Sequence, residues 1–366
     1  MQHLNHLRRC QLVGSAALLI LVSRECGAQR ISSAPPAVPS YSILASAAVT
    51  ETHPRLIRSI TLGDLGSHRP SLPTDVIFLR GRIFVIDGMR RVLLVYDQDG
   101  NYLREATQWG DADGELTSPV RLVADHDTVL VLDLNHRNAV SAFDREGRFI
   151  GARFPELHSA SAYTMAFGRA TAAFGQLDAA RRPERTVVAI MDRKGREIGA
   201  GCTVADSYTR SEARHGALAT FNAAFVAIQG NRIYCAQSIT PVVSVLDLSG
   251  TTVGFLPFAP PFYVAPSDIG ETRNQKSLLD FQSKFTLLQN FDVTSSGFVS
   301  IFSRYDLAAS QFTYRMFACD FDTKPKNCRV GTIPGRPVRI VSSDSVLSVV
   351  SMGDGSLRLN VLMMDR

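Results

Sequence analysis

The chain has 366 residues, 45% of them hydrophobic, and 39 Lys and Arg against 34 Asp and Glu give a formal net charge of +5. So even a balance argues against the basic stripe of a nucleic-acid partner, and the apolar share is too high for a disordered chain. The length exceeds what one simple sandwich needs and suits a repeat array.

The N-terminus, MQHLNHLRRC, is basic, and the apolar run from Leu12 to Val22 follows it. That run is too short to span a bilayer but matches the core of a signal peptide. The small residue Ala28 marks the cleavage point, so residues 1–28 read as a leader and the mature chain as exported, periplasmic or extracellular, with no remaining membrane span. A lipid anchor at Cys26 is the weaker alternative, because Arg24 and Glu25 stand where a lipobox needs small residues. Residues 29–52, rich in Ser, Ala and Pro, read as a flexible linker. Cys202, Cys235, Cys319 and Cys328 remain outside the leader, an even number in an oxidising compartment. Cys319 and Cys328 flank a turn-rich stretch and could bridge a hairpin, leaving Cys202 to pair with Cys235. Four buried thiols are the alternative.

HPRLIRSITLG (53–63) is a strand-like run with no partner nearby. After it one pattern is written twice, from Val76 to Gly110 and from Val120 to Phe154. Each copy holds an opening apolar run, an alternating run ending in Asp (Asp87, Asp133), a third run ending in Asp-x-x-Gly, and an outgoing strand. Regular short strands separated by Gly and Asp turns indicate an all-β repeat fold. The corner recurs at Asp97, Asp144, Asp192 and Asp247, degenerately at Asp320 and finally at Asp365. The spacing is about 50 residues, one four-stranded unit, except for the longer step after Asp247. The last unit stops one strand short, which would leave an open edge. The expectation is therefore a six-bladed β-propeller of four-stranded antiparallel blades, over 53–366, in which 53–63 completes the last blade. The blades fall at 76–110, 120–156, 164–204, 218–260, 287–333 and 337–366.

VYDQDGNYLREATQWGDADGELTSPVRLVAD (95–125) carries an Asp-x-x-Gly corner followed by a Gly-Glu-Φ-x-x-Pro link. In this it resembles the secreted bacterial six-bladed propellers related to NHL-repeat and TolB-like proteins. The match runs through blades 1 and 2, weakens in 3 and 4 and lapses in 5. The resemblance implies fold, with Leu116 of the link packing inward and Pro119 opening the next inner strand; it implies little about function.

Asp97, Asp99 and Asn101 could be taken for a calcium loop, but Gly100 is at the wrong position and no Glu closes the set, so hairpin turns are expected there. No nucleophile elbow, HExxH or phosphate loop is present, and no cofactor is expected. Function is read instead from the residues that open the inner strands and line the hub: Thr74 and Asp75, Arg121, Tyr163 and Met165, Thr220 and Asn222, Asn290 and Asp292, and Arg336 or Arg339. A one-residue slip would exchange these for blade-packing positions. Trp109, the sole tryptophan, is either a rim aromatic or a plug between blades. Residues 262–288 read as a helical insertion, with Asp268 and Glu271 as a capping pair and Leu278, Leu279, Phe281 and Phe285 at helical spacing. It would act as a lid, with Leu279 and Phe285 inward, or as a wall presenting Tyr263, Arg273 and Lys276 to a ligand. The arginine-bearing hub suits an anionic small molecule, a glycan or a peptide carboxylate. The expectation is a monomeric binding or scaffold module for a small molecule, glycan or protein. A lactonase-like hydrolase or lyase holding an axial divalent metal such as calcium is the alternative.

Overall fold

The structure is a computed structural model that describes residues 48–63, 69–134, 136, 139–154, 157, 162–176, 185–205, 223–257, 259–266, 275–321 and 327–365. It opens with β1 (Ala48–Glu51) and β2 (Arg55–Thr61). Blade 1 comprises β3 (Pro73–Leu79), β4 (Arg82–Asp87), β5 (Val92–Asp97) and β6 (Tyr102–Glu105). Blade 2 comprises β7 (Pro119–Asp125), β8 (Thr128–Asp133), β9 (Val140–Phe143) and β10 (Phe149–Arg153). Blade 3 is β11 (Ala162–Phe167), β12 (Thr171–Gln176), β13 (Thr186–Asp192) and β14 (Glu197–Thr203). Blade 4 is β15 (Ala224–Gln229), β16 (Arg232–Gln237), β17 (Val242–Leu246) and β18 (Thr252–Pro257). Helix α1 (Gln275–Lys284) precedes blade 5, which is β19 (Leu287–Val293), β20 (Gly297–Asp306), β21 (Gln311–Asp320) and β22 (Asn327–Ile333). The chain ends on β23 (Arg336–Ser342), β24 (Ser345–Ser351) and β25 (Leu357–Met363).

The last unit supplies three strands, and β2 pairs antiparallel with β25 from Arg55↔Met363 to Thr61↔Arg358, making the fourth. Each inner strand packs against the next, β3 on β7, β7 on β11, β11 on β15, β15 on β19, β19 on β23, and β23 back on β3, so the ring of six blades is closed. Between each pair of neighbouring blades lies an apolar cluster. The seam between blades 6 and 1, for example, buries Ile60 and Leu62 with Val76, Val85, Leu347 and Leu359. Large twisted sheets face one another there through side chains rather than through strand pairing, which is why the strands alternate apolar residues on both faces.

Residues 29–52 are not a tether to their end. Ala48–Glu51 forms β1, which adds a fifth, parallel strand to the outer edge of blade 5 beside β22. Composition could not reveal this, because an edge strand is held by backbone hydrogen bonds such as Thr52 N to Val330 O at 2.7 Å, and by Arg315 Nη2 on Glu51 Oε1 at 2.7 Å.

The Asp-x-x-Gly corners are turns. Asp97 Oδ1 accepts the amides of Asp99 and Asn101, both at 2.9 Å, and Asp192 and Asp247 hold their corners in the same way. Gly100 has φ +93° and sits so close to the preceding blade that a Cβ would lie 2.0 Å from Thr61 O, so glycine is required twice over. Asp87 and Asp133, at the ends of β4 and β8, accept the link amides of Ser71 and Leu72 and of Thr117 and Ser118. These bonds fix where the inner strand of the same blade, β3 or β7, begins. Both cystine pairs form. Cys319–Cys328 joins directly opposed residues of β21 and β22, and Cys202–Cys235 staples β14 of blade 3 to β16 of blade 4.

Two predictions follow from this closure and these turns. Ile60→Asp, which places a carboxylate at a position 4% exposed in the closing seam, should cost more than about 3 kcal/mol in urea unfolding, whereas Leu56→Asp, on the same strand but 52% exposed, should be nearly neutral. The carboxyls of Asp97, Asp192 and Asp247 are held below the usual carboxylate range, by the Asn101 side chain, the Arg196 amide and the Ser249 hydroxyl respectively. Depressed folded values favour the native state above the ordinary carboxylate range. That contribution is lost as pH falls through the depressed values, so Tm should decline on the acid side, and less steeply in the Asp192→Asn, Asp247→Asn double variant.

A candidate functional site at the hub

The inner strands do not keep strict two-residue alternation. In β3, β7, β11, β19 and β23 the register to the second strand slips by one near the start, at Thr74, Val120, Tyr163, Gln289 and Val338. Such a bulge re-aims side chains, so two consecutive residues can face the same space. Val120 with Arg121, Tyr163 with Thr164, and Gln289 with Asn290 indeed line one cavity together.

The residues just after the bulges, Asp75, Arg121, Thr164, Asn290 and Arg339, form a polar layer around the hub. Asp75 is fully buried. It accepts Arg339 Nε at 3.0 Å and Nη2 at 2.6 Å, a bidentate pair joining blades 6 and 1 across the closing seam. It also accepts the amides of Val76 at 2.9 Å and Leu122 at 2.8 Å, and Arg121 Nε stands 3.8 Å away. Arg339 Nη2 further donates to Leu122 O. Arg121 Nη2 reaches Asn290 Oδ1 at 2.8 Å, so blade 2 is tied to blade 5, and Thr164 Oγ1 donates to Ala224 O at 2.7 Å between blades 3 and 4.

At the strand starts this layer opens into a cavity of about 260 Å³ lined from all six blades, including Thr74, Arg121, Tyr163, Phe225, Tyr314 and Arg336. Removal from water sets its electrostatics. Burial lowers the affinity of the Arg121 guanidinium for its proton, with Asp75 opposing the shift, and burial acts likewise on Arg336. Burial pushes the Tyr163 phenol and the Asp292 carboxyl up, the latter resisted by the Val293 amide and then by Arg121 and Arg339. One nitrogen of Arg336, Nη2, is buried without a hydrogen-bond partner among the described residues.

Of the residues picked from the sequence, Arg121 and Tyr163 line the cavity, as do Thr74, Asn290 and Arg336. Arg339 and Asp292 lie further along their inner strands, within electrostatic reach of Arg121. Met165 is packed between blades 2 and 3. Asn222, Thr220 and Arg273 lie outside the described residues, as do Asp268 and Glu271. Tyr263 is not at the hub. Its ring meets Phe302 edge-on at 5.8 Å in blade 5, and its buried hydroxyl has no partner. Trp109 is not a plug: it is 64% exposed with Arg91 over its ring at 5.8 Å, and Leu116 fills the blade interface instead. Helix α1 turns Phe281 into the core between blades 3 and 4, with Phe285 against it, and leaves Lys276 exposed and Leu279 half-buried. Alternation alone missed Thr164, Phe225, Gln289, Ile301, Tyr314 and the bulges themselves. A signal for three of the bulges was present: Pro73-Thr74-Asp75, Pro119-Val120-Arg121 and Pro337-Val338-Arg339 each set a proline before the extra residue and a charge after it. Among the described residues no three His, Cys, Asp or Glu side chains gather where they could hold a metal ion.

No family model and no curated sequence matches the chain. Solved structures do. A Bacteroides fragilis protein assigned as exported superposes with a TM-score of 0.57 at 9% identity, over 87% of this chain and 99% of its own. A member of the DUF4221 family from Bacteroides vulgatus gives 0.55 at 10%, over 86% and 99%. At such identities the likeness is one of fold, and the resemblance to NHL-repeat and TolB-like proteins carries nothing finer.

Asp75→Asn keeps one acceptor oxygen, so one of the amides of Val76 and Leu122 meets an NH2 donor instead, and it removes the charge that compensates Arg339 and Arg121. It should destabilise the protein by about 3 kcal/mol in chemical denaturation, the cost of leaving buried guanidinium groups uncompensated.

Proposed function

We propose that the protein is an exported binding module whose ligand occupies the hub cavity on the face where the inner strands begin. The observation that carries this is the convergence of all six blades on that cavity, with a bulge near the start of five inner strands re-aiming side chains into it. Bulges cost ladder hydrogen bonds and are found where a side chain must be redirected, and concave sites at the mouth of a closed β architecture are common ligand sites. The volume lies below the roughly 300–1,000 Å³ typical of drug-sized ligands, which suits a molecule about as large as one sugar or amino acid. Export is supported by the leader-like N-terminus, and among the described residues no helix is long and apolar enough to cross a membrane.

The test is a hub-filling variant. Gln289 is an exposed lining residue, so Gln289→Trp should fill the cavity without disturbing the core. A metabolite library screened by thermal shift should yield ligands that raise the Tm of the wild-type protein and lose that effect in the variant. Ligands that stabilise both proteins equally would move the site elsewhere.

A further inference from the structure

Resting on that reading of the hub, we propose that the ligand is a small oxyanion, a carboxylate or phosphate ester, held between Arg336 and Arg121.

Among the described residues the charges around the hub are not self-cancelling. Three guanidinium groups there, Arg121, Arg336 and Arg339, face two acids, Asp75 and Asp292. Asp75 is spent: its two oxygens already take both Arg339 bonds and two backbone amides. Arg339 is spent too, on Asp75 and Leu122 O. Arg121 donates to Asn290 Oδ1, a neutral acceptor, and meets Asp75 only at 3.8 Å. Among the described residues Arg336 has no acidic partner and its buried Nη2 has no acceptor. A half-buried guanidinium left with an idle buried donor is a standing cost in the free protein. An incoming oxyanion would satisfy that donor and neutralise the excess charge in a place where water screens it weakly.

The rest of the lining fits the same guest. Tyr163 and Tyr314 border the cavity, and burial pushes both phenols up, so each remains a hydroxyl donor near neutral pH. Phe225, Ile301 and Val338 offer apolar contact for the body of a small molecule. Asp292 adds a modulation. Its carboxyl, raised by burial, is neutral at low pH and becomes an anion competing for the field of Arg121 and Arg339 as pH rises. Oxyanion affinity should therefore weaken with increasing pH through the Asp292 titration, and Asp292→Asn should flatten that profile.

The experiment titrates inorganic phosphate and acetate, at constant ionic strength, into the mature protein and into Arg336→Gln, reading binding by calorimetry. Saturable binding that is about ten- to a hundredfold weaker in Arg336→Gln is expected, the loss that one charge-assisted hydrogen bond implies. The Tm of the unliganded variant should be unchanged or higher, because the substitution removes an unsatisfied group; that keeps a binding loss from being mistaken for misfolding. Galacturonate against galactose and glucose 6-phosphate against glucose then separate a carboxylate guest from a phosphate one, each acid being expected to bind at least about tenfold tighter than its neutral parent if it is the favoured class. Equal binding of phosphate and acetate by wild type and Arg336→Gln, or no saturable binding, overturns the inference. Should library ligands still be blocked by Gln289→Trp in that case, the hub remains the site and only its charge preference is wrong.

Discussion

One backbone ladder, β2 on β25, closes the wheel, and the hub depends on that closure. Every interface between blades is a layer of apolar side chains pressed between two sheets, and a layer is stable only if both sheets are in place. Without β2 the seam between blades 6 and 1 would lose Ile60 and Leu62 from its cluster, and β25 would be left with an open edge. The same seam carries the Arg339–Asp75 pair, so the charge layer at the hub and the closure at the rim are two contacts of the same pair of blades.

The hub is built by a conflict between regular sheet geometry and the need to present polar groups at the axis. A strict two-residue period packs successive residues into the seams on either side of the blade, as Val76 and Ile77 do. The bulges break that rule near the start of the strand, after which the register is regular in β3, β7 and β19, while β23 slips again between Ile340 and Ser342. The polar residues so introduced are buried and therefore costly unless paired. Most are paired across blades: Asp75 with Arg339 and Leu122 N, Arg121 with Asn290, and Thr164 with Ala224 O. Arg336, half-buried beside them, keeps Nη2 without a partner among the described residues, and an unsatisfied buried donor calls for an explanation.

Blade 5 departs most from the common unit. Its strands β20 and β21 are ten residues each, extending beyond the blade toward the face where inner strands begin, and α1 packs beside that extension, with Arg304 Nε donating to Ser283 O at 2.7 Å. The same blade carries the extra strand β1 and an Arg315 guanidinium 4.4 Å over the Phe262 ring.

Local chemistry in the sequence was enough for the repeat, the turns and the count. Asp-x-x-Gly demands a positive φ and a side-chain acceptor wherever it stands, apolar alternation demands a sheet, and a final unit lacking one strand demands a donor from the other end of the chain. Cys319 and Cys328 were legible for the same reason, since they lie across one hairpin. The hub was only half legible, because Arg121 and Tyr163 can be chosen by alternation while Thr164, Gln289 and Tyr314 reach the cavity through a register slip or from an outer strand, neither of which a two-residue period encodes. The exposure of Trp109 and the pairing of β1 likewise came from neighbours distant in sequence. What the sequence determined by itself was thus whatever depends on residues a few positions apart; which arginine is neutralised and which is left waiting was decided only when six blades met, because charge compensation in a buried site is set by distances through space.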